Sequence, residues 1–296
     1  MSGPSTQTAA GWLDRLKSWS LYPLPQHAIS RLVFRLTRIE TPWFKNALIR
    51  WFADTYRVDW QEAVHTHPED YASFNAFFTR ALREGARPLA AGEDTPVCPA
   101  DGGISQLGGI EQDAVFQAKG HTFSVTELLG GDAARAAEFR DGSFITVYLS
   151  PRDYHRVHMP LAGTLRETVY IPGRLFSVAA HTVRTIPRLF ARNERLVAIF
   201  DTDAGPMAMV LVGAINVAAI ETVWSGLVTP PPRPNVEVDD WRAAGIALAR
   251  GAEMGRFNMG STVILLFGRQ RVEWLESLQA GQAVRMGEAI GRLHGH

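Results

Sequence analysis

One cysteine, Cys98, occurs in the whole chain, so no disulfide can form within it, and the sequence reads as that of a reducing compartment. Lysine is nearly missing too: Lys17, Lys45 and Lys119 stand alone among 30 basic residues, the rest being arginine. A GC-rich genome produces that bias without a functional cause. Charge of one sign is not in excess, because 30 acidic residues balance the basic ones. A polyanionic partner such as a nucleic acid is therefore not expected. A long apolar run is also lacking. The longest, Pro206 to Ile220, contains Gly213 and Asn216 and falls short of the ~20 residues a spanning helix needs. Met1 to Ala10 has neither the cationic start nor the apolar stretch of a signal peptide. No fixed-period repeat and no low-complexity tract occurs.

What is present is a globular composition, 46% hydrophobic and 20% charged over 296 residues, enough for one or two domains. The first 60 residues stand apart, with eight Lys/Arg against four Asp/Glu. Ile29, Leu32, Val33, Leu36 and Ile39 fall on one side of a helical wheel, with Arg31, Arg35 and Arg38 on the other. Thr41-Pro42 reads as an N-cap and first helical position, opening a second helix with Trp43, Phe44, Leu48, Trp51 and Phe52. Such helices either lie in a bilayer interface or pack on the protein's own core. A shorter helix is expected from Asn75 to Arg83. From Pro96 onward, short β-branched segments dominate: Phe144–Leu149, Thr164–Tyr170, Leu196–Phe200, Met207–Val212 and Glu221–Val228. Helical patches at Val125–Leu129 and Ala133–Phe139 interrupt them, and Thr229–Asn235, with four prolines, is expected to be an exposed loop. The expected class is α+β: an amphipathic helical region, 1–65, before a mainly antiparallel β barrel or sandwich, 66–296.

Three places could carry chemistry. Pro99-Ala100-Asp101-Gly102 holds an acid in a tight-turn dipeptide. The block Tyr148-Leu149-Ser150-Pro151-Arg152-Asp153-Tyr154-His155-Arg156-Val157-His158-Met159-Pro160 has two histidines three apart after a strand. With His121 or His181 as a third ligand they could bind a metal, but neither cysteine nor a spaced carboxylate pair supports that set, and none is expected. In Phe257-Asn258-Met259-Gly260-Ser261-Thr262 a hydroxyl follows a glycine at the mouth of an apolar strand. Asp101, His158 and Ser261 together supply an acid, a base and a nucleophile. A strand follows Ser261 rather than the Gly-x-Ser-x-Gly elbow of α/β-hydrolases, which favours attack on the preceding peptide bond over ordinary hydrolysis.

From about Leu21 to Leu293 the chain resembles the bacterial phosphatidylserine decarboxylase family. The likeness rests on Pro99-Ala100-Asp101-Gly102, the Tyr148–Pro160 block, Phe190-Ala191-Arg192-Asn193-Glu194-Arg195, Gly205-Pro206-Met207, Glu221-Thr222-Val223-Trp224, and Gly255-Arg256-Phe257 leading into Gly260-Ser261-Thr262. Met259 stands where the family usually has leucine, a swap of similar volume.

The resemblance implies that Asp101 orients His158, and that His158 deprotonates Ser261. Ser261 then attacks the Gly260 carbonyl, giving an ester, then dehydroalanine, and finally a pyruvoyl group in place of Ser261. Cleavage between Gly260 and Ser261 leaves a β chain, 1–260, and an α chain, 261–296, of 36 residues. The two stay together as a heterodimer, which is expected to dimerise further. The pyruvoyl group forms a Schiff base with phosphatidylserine and serves as electron sink while CO2 leaves, yielding phosphatidylethanolamine. His155 is the candidate for protonating the carbanion, and Arg152 and Arg156 are candidates for the headgroup phosphate. A membrane-borne substrate places the enzyme peripherally on the cytoplasmic face of the inner membrane, held by the N-terminal helices.

Two rival enzyme readings exist, a membrane-bound serine hydrolase with the same three residues and a pyruvoyl decarboxylase of a soluble amino acid. Gly281 to Gly291 also resembles the turn of lipoyl and biotinyl carriers. Those need a lysine, and none follows Lys119.

Overall fold

The computed structural model describes residues 11–19, 21–118, 121–215, 219–258 and 262–294. Three helices come first, α1 (Trp12–Trp19), α2 (Gln26–Leu36) and α3 (Pro42–Tyr56), then a short α4 (Phe74–Phe78). Pro42 opens α3 as expected, although the Thr41 hydroxyl makes no capping bond. α4 is capped by Ser73, whose Oγ accepts from the Ala76 N–H at 3.2 Å. It stops well short of Arg83. The Val64 N–H donates to the Ala81 carbonyl and the Arg83 N–H to the Glu62 carbonyl. These bonds draw residues 81–83 into an extended bridge between Ala63 and Leu82.

α2 has its burial inverted relative to its pattern. Gln26 and Ser30 are buried while Leu32 is 58% and Leu36 41% exposed. The polar inner face has partners: Gln26 Oε1 accepts from the Leu175 N–H at 2.9 Å. α3 buries Ile49, Phe52 and Ala53 against Val58, Tyr71, Phe74, Phe77 and Phe78, with Phe52 edge-on to Phe74. That aromatic core runs past residue 65 into α4.

The strands are β1 (Gly102–Gly109), β2 (Ala114–Ala118), β3 (His121–Ser124), β4 (Ser143–Tyr148), β5 (Arg156–His158), β6 (Gly163–Ile171), β7 (Arg195–Thr202) and β8 (Gly205–Val212). The later ones are β9 (Ile220–Thr222), β10 (Gly226–Thr229), β11 (Glu237–Asp240), β12 (Ala247–Leu248), β13 (Glu253–Phe257), β14 (Thr262–Phe267), β15 (Val272–Trp274), β16 (Ala283–Val284) and β17 (Gly291–Leu293). Between them lie α5 (Val125–Leu128), α6 (Ala133–Ala137), α7 (Ala180–Thr185) and α8 (Leu189–Arg192).

The larger antiparallel sheet runs β11-β6-β7-β8-β14-β4-β1-β16, with β12 also on the edge of β6. It stays open at β11 and β16, so among the described residues no closed barrel forms. A four-stranded sheet runs β10-β9-β13-β5. The single strand expected over Glu221–Val228 is a hairpin, β9 and β10, because the chain turns before Gly226, at φ 65. The proline-rich loop is only partly exposed: Thr229 is fully buried, and the Arg233 N–H donates to Tyr170 Oη at 3.0 Å.

β14 is the centre of the large sheet, paired with β8 on one side and β4 on the other. Val263, Leu265 and Phe267 face one apolar core, and Ile264 and Leu266 face the other. Both faces of an antiparallel strand are dry here, so its sequence is an unbroken apolar run rather than an alternating one.

The segment Phe190–Arg195 is a staple between strands and loops. Asn193 Oδ1 accepts from the Phe176 N–H, and its Nδ2 donates to the Phe176 and Gly213 carbonyls. Arg195, 2% exposed, donates to the carbonyls of Glu127, Leu128, Ala191 and Asn193. Arg195→Met removes the side-chain donor from the Leu128, Ala191 and Asn193 carbonyls, while the Glu127 carbonyl keeps the Leu129 and Gly130 N–H groups. The substitution is expected to lower the unfolding free energy by about 3 kcal/mol, read from urea titration; an unchanged midpoint would show the staple to be dispensable.

Candidate active site

Two sheets meet at the junction that holds the predicted nucleophile. β5 lies antiparallel to β13, with Glu253 opposite His158 and Arg256 opposite Arg156. The Phe257 N–H then donates to the His155 carbonyl at 3.0 Å. β14 takes up at Thr262, opposite Tyr148 and Val212. Met259, Gly260 and Ser261 lie outside the described residues. Their flanks are dry: Asn258 is 5% and Thr262 0% exposed. Asn75 Nδ2 donates to Asn258 Oδ1 at 2.8 Å, fixing the end of the first flank from α4.

His158 has both ring nitrogens engaged. Nδ1 lies 2.8 Å from the Gly251 carbonyl, which can only accept, so Nδ1 carries the proton. Nε2 is then a lone pair, and Tyr154 Oη donates to it at 2.9 Å. Burial lowers the His158 pKa, so the ring is a neutral base at physiological pH. Burial also pushes the Tyr154 phenol up to about 12, which keeps its proton on oxygen.

His155 is fully buried, its ring centroid 4.0 Å from that of Phe78. Its Nδ1–H donates to the Asp153 carbonyl at 2.8 Å, and its Nε2 has no partner among the described residues. Burial, with the Arg80 charge adding to it, pushes the His155 pKa down to about 3.

Asp101 and His158 are neighbours without being partners. The direct pair implied by the resemblance does not form. Asp101 Oδ1 and Oδ2 accept from Arg87 Nε at 2.9 and 3.1 Å, Oδ2 also from Arg87 Nη2 at 2.5 Å, and Oδ1 from the Met286 N–H at 2.9 Å. The guanidinium satisfies the carboxylate, while the Gly251 carbonyl already occupies the imidazole N–H. The two residues are joined through backbone instead, the His158 N–H donating to the Pro99 carbonyl at 2.8 Å. Gly102 allows the turn to pass this close, since a Cβ there would lie 2.2 Å from the Tyr148 carbonyl oxygen. Arg87 also pairs with Glu62 at 2.6 Å, and Glu62 with Arg285 at 3.0 Å. Those hydrogen bonds hold Glu62 below the usual carboxylate range. Hydrogen bonds to Asp101 and then to Glu62 keep Arg87 above its own range despite its burial.

Of the two arginines predicted to grip phosphate, Arg156 is committed to Glu253 and the Thr79 carbonyl, both at 2.9 Å. The Arg152 side chain is 65% exposed. His121 lies on β3 and His181 on α7, on different elements from His158 on β5. Among the described residues no group of three or more His, Cys, Asp or Glu could hold a metal ion. Cys98 is buried and donates to the Ala100 carbonyl, and burial pushes its thiol up to about 12, far from thiolate character.

Sequence reasoning missed Arg87, Glu62, Tyr154 and Arg80. Tyr154 stood in the histidine block without a reason to be singled out. The others belong to pairings across long stretches of chain that no spacing announces. With Asp101, Tyr148 and Asp153 these four border a cavity of about 530 Å³. An adjoining, more apolar cavity of about 300 Å³ is bounded by Ile104, Ala118, Val178 and Val183 and shares Tyr148.

The neutral His155 has a thermodynamic consequence. Unfolded, the ring titrates near 6.5; folded, near 3. Above pH 6.5 both states are neutral and stability is complete. Below it the unfolded chain takes a proton the folded chain refuses, costing about 1.4 kcal/mol per pH unit. From pH 7 to 5, urea titration should show wild type losing about 2 kcal/mol more than His155→Gln. An equal slope in both would show that the ring does not hold its neutral form.

A family model described as phosphatidylserine decarboxylase matches residues 74–292, and a second, described as PSD, matches residues 16–57. A phosphatidylserine decarboxylase proenzyme of Alkalilimnicola ehrlichii is 61% identical over 267 residues, covering 90% of this chain and 93% of its own. One from Ectopseudomonas mendocina is 60% identical over 280 residues, with 94% and 98% covered. One from Pseudomonas aeruginosa is 59% identical over 279 residues, with 94% and 96% covered. This chain belongs to the phosphatidylserine decarboxylase family.

Proposed function

We propose that the chain is a proenzyme that cuts itself between Gly260 and Ser261, and that the product decarboxylates phosphatidylserine to phosphatidylethanolamine. The observation that carries this reading is the neutral His158, whose Nε2 lone pair sits on the strand paired with the one leading into the junction. Ser261 Oγ–H gives its proton to that nitrogen, displacing the Tyr154 hydroxyl, and Oγ attacks the Gly260 carbonyl carbon. The carbon–nitrogen bond breaks, and the freed nitrogen takes the proton back from His158, leaving residues 260 and 261 joined by an ester. Loss of the Ser261 Cα proton expels the Gly260 carboxylate, which cuts the chain. Water then replaces the nitrogen of the resulting dehydroalanine, releasing ammonia and leaving a ketone. Asp101 acts from its place beside Pro99, as a fixed negative charge shared with Arg87, rather than by bonding the ring.

The surroundings fit a pyruvoyl group at residue 261. Thr262 Oγ1 is buried without a partner among the described residues, and a carbonyl-bearing neighbour supplies the acceptor it lacks. When present, the group supplies a ketone that condenses with the substrate amine and draws off the electron pair left by CO2. His155 Nε2, buried and unpaired, is the atom that takes up and returns a proton there. Burial makes its protonated form a strong acid. The α chain, 261–296, stays bound to the β chain, 1–260, because β14 is held on both edges.

No helix among the described residues is long and apolar enough to cross a membrane. Trp12, Trp19, Trp43 and Trp51 are 59–76% exposed on α1 and α3, beside the outward Leu32 and Leu36 of α2. Indole rings and leucines turned to solvent next to exposed Arg31 and Arg35 suit a bilayer surface with anionic lipid. This supports a peripheral enzyme on the cytoplasmic face of the inner membrane.

Intact mass and denaturing electrophoresis test the cleavage. Wild type should give a fragment of 36 residues with a blocked N-terminus, and Ser261→Ala a single chain with no CO2 release. A processed Ser261→Ala protein would place the cut elsewhere. An unbroken wild type that hydrolyses esters would favour the serine hydrolase. For the surface, Trp43→Ser with Trp51→Ser should weaken sedimentation with anionic liposomes by at least about ten-fold; unchanged binding would remove α3 from the interface.

A further inference from the structure

Arg80 is a buried cation that no carboxylate among the described residues bonds directly. It follows α4 and is 4% exposed. Its Nη2 donates to the carbonyls of Arg152 at 3.0 Å and Asp153 at 3.5 Å. Nε and Nη1 have no partner, and among the described residues no carboxylate forms an ion pair with it. Its guanidinium carbon lies 5.5 Å from the centroid of the Phe77 ring, and the group borders the cavity of about 530 Å³.

The carboxylates around that cavity are already engaged, Asp59 accepting from the Gln61 N–H at 2.8 Å. Asp101 and Glu62 share Arg87, and Glu62 also holds Arg285. Asp153 Oδ2 accepts from the Ser150 N–H at 2.6 Å. Burying a guanidinium that no carboxylate bonds is costly, and an anion entering the cavity would remove that cost. Arginine suits an oxyanion of phosphate geometry.

We infer that Arg80 binds the phosphodiester of the substrate headgroup in this cavity, which Arg152 also borders. The inference rests on the decarboxylase reading above. The substrate carboxylate is the poorer candidate. Its charge must drain away as CO2 leaves, and a cation held on it would stabilise the ground state more than the transition state. Neutral His155 and the Phe78 ring, beside the junction, are the better surroundings for that group. The phosphodiester does not react, so its grip is equal before and during the reaction and belongs in KM.

The test is calorimetric titration of the full-length protein with sn-glycero-3-phosphoglycerol, a phosphodiester with neither amine nor carboxylate. Serine and inorganic phosphate are titrated alongside. Saturable binding of the diester is expected, weakened roughly 10- to 100-fold in Arg80→Gln and less in Arg80→Lys, which keeps the charge. Serine should bind far more weakly and show no dependence on residue 80. For phosphatidylserine in mixed micelles, Arg80→Lys should raise KM with kcat within about two-fold. No diester binding by wild type overturns the inference, as does undiminished binding in Arg80→Gln. If Arg80→Gln does not fold, wild type and Arg80→Lys decide: equal diester affinity in the two overturns it. Inorganic phosphate binding as tightly as the diester overturns the headgroup assignment. A fall in kcat at unchanged KM moves Arg80 to the carboxylate and overturns it too. CO2 release by wild type tests the parent reading separately. Protein that binds the diester through Arg80 yet releases no CO2 keeps this inference and sinks the decarboxylase.

Discussion

The placing of β14 is the constraint on which the rest depends. It is hydrogen-bonded along both edges and covered on both faces, so the position of Thr262 is fixed by the whole large sheet. The other flank is fixed by the small sheet, through β13 and its partner β5. The segment between Asn258 and Thr262 must bridge two sheets, and the strand that brings it there is the one paired with His158. Chemistry at the junction is therefore positioned by long-range pairing. Almost all of the apolar sequence between Phe144 and Phe267 serves that pairing.

Charge is organised around the same place by exclusion. Asp101, Arg87, Glu62 and Arg285 form a chain of ion pairs at the cavity wall, whereas both histidines are held neutral by burial, against the opposing pull of the carbonyls that fix their Nδ1–H tautomer. The His158 imidazole beside that compensated ion chain is a base whose proton affinity is set by desolvation first, by the Gly251 hydrogen bond second and by neighbouring charge after that. Tyr154 occupies that lone pair.

Much of this was legible in the sequence. The helices α2 and α3, the β-rich remainder and the short helices α5 and α6 follow from periodicity and turn residues. The openness of the sheet did not, because register and closure depend on which strands pair, and strands buried on both faces lose the alternation that would orient them. α4 was overestimated because Asn75 to Arg83 has helical spacing throughout, yet bonds from residues 62 and 64 claim its second half. Asp101 and His158 could be named from their motifs. Their separate partners could not, since Arg87 and Gly251 are ordinary residues until the fold brings them in. The inverted burial of α2 was invisible for a related reason: Gln26 and Ser30 face inward to meet partners such as the Leu175 backbone, far along the chain.

α4 ties the outer helices to the interior. Phe74 and Phe77 complete the aromatic cluster under α3, Phe78 lies on the His155 ring, and Arg80 comes two residues later. Tryptophans at the rim and imidazoles inside thus belong to one continuous solid. A diacyl lipid met at that rim would be lifted only as far as a few residues of backbone can span. Its fatty tails would remain where they were, and only the polar end would travel inward.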